Sequence, residues 1–349
     1  MSAGYRAISW NSQKKQYDVV LVFGVVLYLA IFISFSTLVH PNATAETILI
    51  RAIGTAAFLL LNIILCIGPL CRLNPKFLPL LYNRRHLGVT MFILGLVHGA
   101  FSIFQFHAGG DISPILSIFL SNTRFTSIPD FPFQQFGAIA LFILFLMAAT
   151  SHDFWLRNLT APVWKGLHML VYIAYAMLVV HIALGALQSE HNPLMAAALI
   201  CSVGTVCSLH LAAARKESRI DSERPSEERF VEVCRVADIK DNRARIVCLS
   251  GERVAIFKYD GKLSAVSNVC QHQNGPLGEG RVIDGCITCP WHGYQYLPES
   301  GSAPPPFTEK IPTFNLRVID DRVLVDPKPN APGTSVKPIQ ISATSEVSA

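Results

Sequence analysis

The sequence has few charged residues. Only 15% of its 349 residues are Asp, Glu, Lys or Arg, whereas soluble proteins carry about 25%. The deficit is confined to residues 18–214, which form a series of long apolar runs, while the chain from Arg215 onward has an ordinary soluble composition. This split predicts a membrane-embedded half followed by a soluble half.

The sequence also lacks the marks of several function classes. The net charge of +5 is spread along the chain with no basic stripe among aromatics, so no nucleic-acid partner is expected. The nine cysteines do not form the regular framework of a secreted disulfide-rich protein. No G-x-G-x-x-G follows the apolar half, so we predict no dinucleotide-binding module there. Residues 1–11 are too polar for a signal peptide, and the first apolar run is expected to remain as a membrane anchor.

Six apolar runs are long enough to cross a bilayer, which takes about 20 residues. The predicted spans are Val19–Val39, Ile48–Leu70, Leu87–Phe106, Phe133–Ala149, Val163–Leu187 and Leu194–Ala213. The short loops on one side hold twelve Lys and Arg, against one or two on the other side. The positive-inside rule therefore predicts that both termini and the soluble half face the cytoplasm, in a multi-pass protein of the cell membrane.

Histidines within membrane spans indicate a functional site, because ionisable groups there are rare. The third span contains His98, with His86 at its entry, and the fifth contains His168 and His181. The two members of each pair lie about 18–20 Å apart along a helix. Both spans cross in the same direction, so the two pairs match in depth. Two levels of facing imidazoles suit two stacked haems in the core of a helix bundle.

Other interpretations of these residues stay open at this point. Each histidine alone could serve as a structural residue that makes interhelical hydrogen bonds. His86 is turned by about 120° around the helix from His98. Arg84 lies closer to the face of His98, where it could meet a haem propionate or extend to the membrane interface. The sequence thus predicts one or two haems, with His98, His168 and His181 as ligands and His86 and Arg84 as further candidates.

Two segments of the apolar half resemble a known family. They are "RRHLGVTMFILGLVHG", residues 84–99, and "ATSHDFWLRNLTAPVWKGLHMLVYIAYAMLVVH", residues 149–181. They are similar to the ferric reductase-like transmembrane domain of ferric reductases, NADPH oxidases and the haem-binding partner of periplasmic methionine sulfoxide reductase. The resemblance covers about Ala45 to Leu211 and implies b-type haem ligands at His98, His168 and His181. Oxidase members have a further histidine where this chain has Arg84 or Arg85, which leaves the ligands of an inner haem open.

The soluble half is expected to form a small all-β domain. The predicted organisation is a cytoplasmic N-terminus at 1–17, the transmembrane domain at 18–214, an exposed linker at 215–229, the β-domain at 230–328 and a disordered tail at 329–349. Short runs of β-forming residues between turns predict a sandwich or barrel, whereas the tail is rich in Pro, Ser, Thr and Ala. The fold class is therefore a six-helix transmembrane bundle followed by a small all-β domain.

One stretch of the β-domain has the spacing of a metal site. "CQHQNGPLGEGRVIDGCITCPWHG", residues 270–293, pairs Cys270 with His272 and Cys289 with His292. Two cysteines and two histidines suit tetrahedral zinc, but zinc fingers usually pair Cys with Cys and His with His. One of each in both halves suits a [2Fe–2S] cluster in which two thiolates hold one iron and two imidazoles hold the other.

The whole string closely resembles the Rieske domain family. "CPWHG" followed by an aromatic residue is typical of its ferredoxin and ring-hydroxylating-oxygenase branch, and the resemblance spans about Phe230 to Pro327. It implies that Cys270, His272, Cys289 and His292 hold the cluster. The cytochrome bc branch has further cysteines where this chain has Gly275 and Trp291. Their absence fits a reducing cytoplasm and a lower potential.

These features predict a membrane-bound electron-transfer component of the oxidoreductase class. Cluster and haem each move one electron at a time, between the cytoplasmic side and an outer-face, periplasmic or quinone acceptor. The expected partners are membrane lipid and a soluble donor such as a ferredoxin reductase. The alternatives are a redox sensor or assembly subunit without turnover, and an anchored Rieske ferredoxin without haem. A terminal Rieske oxygenase is disfavoured, because its mononuclear iron needs a large domain after the cluster.

Overall fold

The computed structural model describes residues 12–74, 76–77, 80–81, 84–128, 130–151, 155, 159, 161–189, 193–221, 230–272, 275–291 and 293–341. The chain divides into two compact units. The helical unit comprises residues 11–68 and 83–210, and the β-unit comprises residues 1–10, 69–82 and 211–349. The β-unit therefore includes the last turn of one long helix and the C-terminal part of another.

The described residues form nine α-helices. They are α1 (Ser12–Val39), α2 (Ala45–Leu73), α3 (Arg84–His107), α4 (Pro114–Leu120), α5 (Gln134–Thr150), α6 (Ala161–Met169), α7 (Val171–Leu184), α8 (Ala186–Ser189) and α9 (Pro193–Asp221). Five helical segments are long and apolar enough to cross a membrane, one of them being the stretch Gly166–Gln188 within α6–α8. The remaining predicted span corresponds to α5, whose 17 residues are at the lower end of the usual range of about 17–25.

The helical unit has the surface of a protein that lies in lipid. No part of the apolar window of α1 is buried, whereas 61% of the corresponding window of α2 is buried. Phe23, Phe35 and Leu38 of α1 are each more than 60% exposed. Apolar surface on this scale is found where a protein contacts a membrane. The chain is therefore a multi-pass membrane protein.

A polar contact joins two of the spanning helices. The Tyr175 hydroxyl of α7 donates a hydrogen bond of 2.8 Å to the side-chain oxygen of Asn62 in α2. The ring of Phe58, one turn earlier in α2, stacks on Tyr175 at a centroid distance of 5.6 Å. A buried hydrogen bond of this kind holds apolar helices in a defined register.

Eleven strands in three sheets lie in the described part of the β-unit. They are β1 (Val231–Arg235), β2 (Arg243–Leu249), β3 (Glu252–Tyr259), β4 (Lys262–Ser267), β5 (Arg281–Ile283), β6 (Cys286–Thr288), β7 (Gln295–Tyr296), β8 (Thr313–Phe314), β9 (Leu316–Ile319), β10 (Arg322–Val325) and β11 (Ile339–Gln340). Their orders are β1-β10-β9, β11-β4-β3-β2 with β8 also on β4, and β5-β6-β7. The small all-β domain is confirmed.

The central strand β3 is buried on both faces and separates two cores. Phe257 and Tyr259 belong to a core that also contains Cys270 and Cys289. Val254 and Ile256 point to the opposite core, as the alternation of side chains along a strand requires. The turn Asp260-Gly261 joins β3 to β4 with φ of 45° and 68°, the positive values that a tight hairpin turn needs. The two cysteines of the metal motif therefore pack in the core on one face of β3.

The structure corrects two of the predicted boundaries. Helix α9 continues to Asp221, so the first seven residues of the predicted linker 215–229 are helical, and residues 222–229 lie outside the described residues. The prediction of a disordered tail was wrong as far as Ile341. Strand β11 pairs with β4, and Ile339 and Ile341 pack against the second core. The burial of two apolar side chains and the pairing with a strand edge order this segment in spite of its polar composition. Residues 342–349 are not described.

Candidate metal centres

The cysteines of the metal motif begin two loops that close on themselves. The backbone N–H of Cys270 donates to the carbonyl of Gly275 at 2.9 Å, and that of Cys289 donates to the carbonyl of Tyr294 at 2.7 Å. His272 lies within the first loop. His292, predicted within the second, lies outside the described residues. Each loop therefore presents a cysteine at its base with its main chain fixed by hydrogen bonds.

Glycine brings the two loops together. A Cβ atom on Gly275 would lie 2.7 Å from the Cys289 sulfur and 3.2 Å from the Trp291 ring. Any side chain at this position would therefore occupy space next to the thiolate. Gly293 has φ of 73°, a conformation that L-residues rarely adopt, and its N–H donates to the Cys289 carbonyl at 2.9 Å. Gly275 thus permits the close approach of the two loops, and Gly293 permits the turn of the second loop.

Tyr294, which closes the second loop, and Tyr296 of β7 contact ligands of the first loop. The Tyr296 hydroxyl lies 3.5 Å from the Cys270 sulfur and accepts the N–H of Gln271 at 3.0 Å. Burial, and then the nearby Cys270 sulfur, raise the pKa of Tyr296. The hydroxyl therefore keeps its proton and is able to donate it to the sulfur. The ring of Tyr294 stacks on His272 at 4.6 Å with the planes 8° apart, and the Tyr294 hydroxyl donates to Glu309.

The donor set and its surroundings fit a [2Fe–2S] cluster. Cys270 and Cys289 are both 1% exposed, in a core that excludes water from a bound thiolate. Among the described residues, no three Cys, His, Asp or Glu side chains surround a single ion. A dinuclear cluster does not require three ligands around one ion, because its cysteines and histidines hold different irons.

Two cysteines outside the motif remain protonated. Burial raises the pKa of Cys234 to about 11 and also raises that of Cys286, so both stay thiols.

In the helical unit, His98 is fixed by the neighbouring helix α2. Its Nδ1 is 3.0 Å from the carbonyl oxygen of Ile50, so the ring donates this N–H and its Nε2 remains for a ligand. The ring lies over Gly54, one turn further along α2, where a Cβ would be 2.7 Å from Nδ1. The main chain of α2 thus sets both the tautomer and the position of the imidazole.

His181 is fixed in the same way at the start of α5. Its Nδ1 is 3.0 Å from the carbonyl oxygen of Phe133, and a Cβ on Gly137 would lie 2.8 Å from that nitrogen. Both hydrogen bonds span the same 48 residues of sequence. The hairpin of α2 and α3 and the segment from α5 to α7 therefore repeat one arrangement of carbonyl, glycine and histidine.

The structure brings His98 and His181 together. Their ring centroids are 6.3 Å apart and their planes are nearly perpendicular, at 84°. Two imidazoles that bind one metal from opposite sides have centroids roughly 6 Å apart, because each metal–nitrogen bond is about 2.0 Å. Glycines lie beside both rings, and because Nδ1 of each ring bonds a main-chain carbonyl, Nε2 is the nitrogen that would bind a haem iron. The pair fits a haem.

The other three haem candidates have different partners. His168 stacks on Trp164 at 3.7 Å, and its Nδ1 lies 3.0 Å from the Trp164 carbonyl of its own helix. The Nδ1 of His86 lies 2.9 Å from each carboxylate oxygen of Asp18 in α1. Arg84 is within electrostatic range of His168. Haem ligation by His168 and His86, and a propionate contact of Arg84, stay predictions.

Several residues of these sites were not predicted from the sequence. Gly54 and Gly137 sit beside the histidine rings, and Tyr294 and Tyr296 contact the first cluster loop. The glycines had a signal, since each precedes its histidine by the same number of residues. Tyr294 follows "CPWHG" directly and Tyr296 comes two residues later, but nothing in this spacing specifies a contact with the other loop.

Family models match both halves of the chain. A model described as "Rieske [2Fe-2S] domain" matches residues 229–315, which include all four motif residues. A model described as "Ferric reductase like transmembrane component" matches residues 53–179, which include His98 and His168 and end just before His181. Neither match covers half of the chain.

Curated relatives match the Rieske part. The ferredoxin component of the alkene monooxygenase system of Xanthobacter autotrophicus is 31% identical over 101 residues, which are 29% of this chain and 83% of that protein. The biphenyl dioxygenase ferredoxin subunit of a Pseudomonas species is 31% identical, over 28% of this chain and 91% of the subunit. Human apoptosis-inducing factor 3 is 30% identical, but the chain spans only 17% of its length.

Among solved structures, a ferredoxin of Sphingomonas yanoikuyae B1 is 28% identical over 28% of this chain and 96% of that one, with a TM-score of 0.26. The two family matches and the ferredoxin relatives support an electron-transfer role. The chain belongs to the Rieske [2Fe-2S] family, and joins its Rieske domain to a ferric reductase-like transmembrane component.

Proposed function

We propose that this protein passes single electrons between a Rieske [2Fe–2S] cluster and a b-type haem within the membrane. Cys270, His272, Cys289 and His292 would hold the cluster, and His98 and His181 would hold the haem. When bound, cluster and haem iron each take up and release one electron at a time. The positive-inside bias of the loops supports a position of the cluster on the cytoplasmic side.

The observation that supports the relay best is the matched histidine pair. A ferredoxin needs no imidazoles in a membrane bundle, and an anchor needs none either. His98 and His181 come from different helices, have ring centroids 6.3 Å apart and place their Nδ1 atoms on main-chain carbonyls. Two such rings with the same tautomer are expected where an iron takes both remaining nitrogens.

The residues around each site have separate tasks. The carbonyls of Ile50 and Phe133 accept the imidazole N–H groups, which orients the rings and makes them more basic ligands. At the cluster end, the Tyr296 hydroxyl is placed to donate to the Cys270 sulfur. Such a hydrogen bond stabilises the more negative, reduced form of a cluster and raises its potential.

The proposed partners follow from the positions of the cluster site and the haem site. In this proposal a soluble protein, such as a ferredoxin reductase, exchanges electrons with the cluster. The names of the relatives support such a partner, because a ferredoxin component or subunit is one part of a larger system. A haem held by the histidine pair would serve a quinone in the lipid or an acceptor at the outer face. The chain then acts as a connector between soluble and membrane pools of electrons.

The test is a count of cofactors on the purified full-length protein. We expect two non-haem irons and at least one b-type haem per chain, with the Soret band of haem above the weak, broad absorption of the cluster. The variant His181→Ala should lose the haem bands and keep the cluster iron. The matched control is His210→Ala, because His210 is a membrane histidine of α9 that bonds the Tyr172 hydroxyl at 3.1 Å.

The outcomes separate the alternatives. A cluster without haem would indicate an anchored Rieske ferredoxin and would contradict the proposed electron transfer to a haem. Zinc with neither cluster iron nor haem would overturn the assignment of both sites. A second haem would retain the relay and add His168, with His86 or another group, as a further ligand pair. Equal loss of haem in His181→Ala and His210→Ala would argue against the proposed ligand.

A further inference from the structure

Four charged side chains form a network inside the β-unit, at the ends of α2 and α9. Arg72 of α2 lies with its Nε 3.3 Å from Glu217 of α9 and 3.6 Å from Glu279. The other oxygen of Glu217 is 3.1 Å from Arg253 of β3. We call these four residues the charge network. It connects the strand-bearing part of the β-unit to the two helix ends.

The two helix ends are themselves fixed to each other. Lys216 of α9 donates from its Nζ to the carbonyl oxygens of Arg72 and Leu73, at 2.6 and 3.2 Å. These carbonyls belong to the last turn of α2, which leaves such groups without partners inside the helix. A lysine at a helix C-terminus satisfies them and complements the helix dipole. The helix ends therefore form a single platform for the strands.

Glu279 is the least exposed member of the charge network. Its side chain is 11% exposed, whereas those of Glu217, Arg253 and Arg72 are 25%, 31% and 41% exposed. Burial raises the pKa of Glu279 to about 7, with Arg72 and Arg253 opposing the rise and Glu217 adding to it. The ion pair with Arg72 is long, so it does not compensate for the loss of water around the carboxylate.

Glu279 lies on a short 3-10 turn, Leu277–Glu279, behind the two cluster loops. The N–H groups of Leu277 and Gly278 donate to the main-chain and side-chain oxygens of Asn268, at 2.9 and 2.7 Å. Asn268 lies two residues before Cys270. On the other side of the turn, a Cβ on Gly280 would lie 2.1 Å from the carbonyl of Thr288, the residue before Cys289. The turn is thus packed against the bases of both loops.

We propose that the charge network is a reversible docking surface between the Rieske domain and the ends of α2 and α9, and that Glu279 makes this docking depend on proton uptake. The partner surface is the chain's own helix platform. Contacts between domains that are polar and partly exposed are the kind that open and close. The proposal goes beyond electron transfer and holds whether or not a haem is bound.

The direction of the pH dependence follows from linkage. In the docked form, the pKa of Glu279 is about 7, above the ordinary value of 4.5 that it regains when released into water. Between these values the docked form binds more protons, so docking is strongest at low pH and weakens as pH rises through 7. The docking constant is expected to fall by up to about 100-fold between pH 5 and pH 8.

The test measures the distance across the network in the full-length protein. Spin labels are placed on Lys76→Cys and Lys240→Cys, both exposed, with the exposed Cys201 and Cys207 replaced by Ser. Electron–electron double resonance should give one narrow distance at pH 5 and add a broad, longer population at pH 8. The variant Glu279→Gln, which stays neutral, should keep the narrow distance at both pH values.

The matched control is Glu232→Gln. Glu232 pairs with Arg322 at 2.8 Å in the same unit, but both side chains are about half exposed, so this variant should follow the wild type. The same pH profile in wild type and Glu279→Gln would overturn the proton link. A single narrow distance at every pH in the wild type would overturn reversible docking. Haem bands read on the same sample keep this result separate from the fate of the electron relay.

Discussion

The two candidate metal sites position their ligands by different means. In the helical unit, His98 and His181 come from regular helices, and each is fixed by one carbonyl and one glycine of a neighbouring helix. In the β-unit, Cys270 and Cys289 come from irregular loops, which are closed by their own backbone hydrogen bonds. The helical site depends on elements far apart in sequence, and the loop site on one continuous stretch.

The difference shows what each kind of scaffold offers. A helix fixes the depth and direction of a side chain through its regular geometry, so a histidine needs only a partner for its second nitrogen. A loop has no such regularity, and its ligands need glycine at close approaches and hydroxyl groups behind them. We therefore expect changes around the loop site to act more strongly than comparable changes around the helical site.

The largest expected effect is that of Gly275→Ala. Its Cβ would lie 2.7 Å from the Cys289 sulfur, and a buried backbone next to Cys270 cannot retreat from it. We expect the protein to lose most of its cluster iron and to keep its haem, measured as iron and haem per chain. Haem content serves as the internal control. Full cluster occupancy in this variant would show that the loops are less tightly joined than the structure indicates.

A smaller effect is expected from Gly54→Ala beside His98. The new Cβ would lie 2.7 Å from Nδ1, but the imidazole can tilt on its own side chain. We expect several-fold weaker retention of haem, measured by transfer to apomyoglobin. In the control variant Gly68→Ala of the same helix, the new Cβ would contact nothing within 4 Å. This variant should only stabilise the helix, by about 1 kcal/mol, because Ala has the higher helix propensity. Equal haem loss in the two variants would contradict the assigned role of Gly54.

The smallest effect is expected from Tyr296→Phe, which removes the hydroxyl at 3.5 Å from the Cys270 sulfur. The cluster should stay bound, with its potential lowered by up to about 60 mV, a factor of ten in a one-electron equilibrium. Redox titration followed by paramagnetic resonance measures this shift. Tyr259→Phe removes another buried hydroxyl, which contacts Ser264 at 2.9 Å, and should leave the potential unchanged. Equal shifts would assign the effect to general packing.

The same contrast explains what could be predicted from the sequence. The cluster site has ligands at short, fixed spacings, so Cys270, His272, Cys289 and His292 were visible as one string. Fold class and the number of apolar runs followed from composition and periodicity, which reflect burial and lipid contact directly. The histidines were visible because ionisable groups are rare in spans.

What could not be predicted depends on contacts between distant segments. Whether His98 faces His181 or His86 faces His168 is decided by rotation of packed helices, which spacing along one helix does not specify. The ordered stretch up to Ile341 was missed because strand β11 has only two residues and gains its stability from pairing with β4. The contact of Tyr296 with Cys270 depends on the fold of both loops.

The repeated arrangement in the helical unit has a consequence for the origin of the site. Two hydrogen bonds with an identical separation of 48 residues, each with a glycine one turn later, are what a duplicated hairpin leaves behind. A single ancestral hairpin would have built the same pair of imidazoles by associating with a second copy of itself. On this view the histidine pair lies where two gene products once met, and fusion into one chain would have freed each half to diverge. In this repeat the hydrogen-bonded pair Asn62 and Tyr175 corresponds to the packed rings of Phe145 and Phe92, so the same two positions would have acquired different contacts.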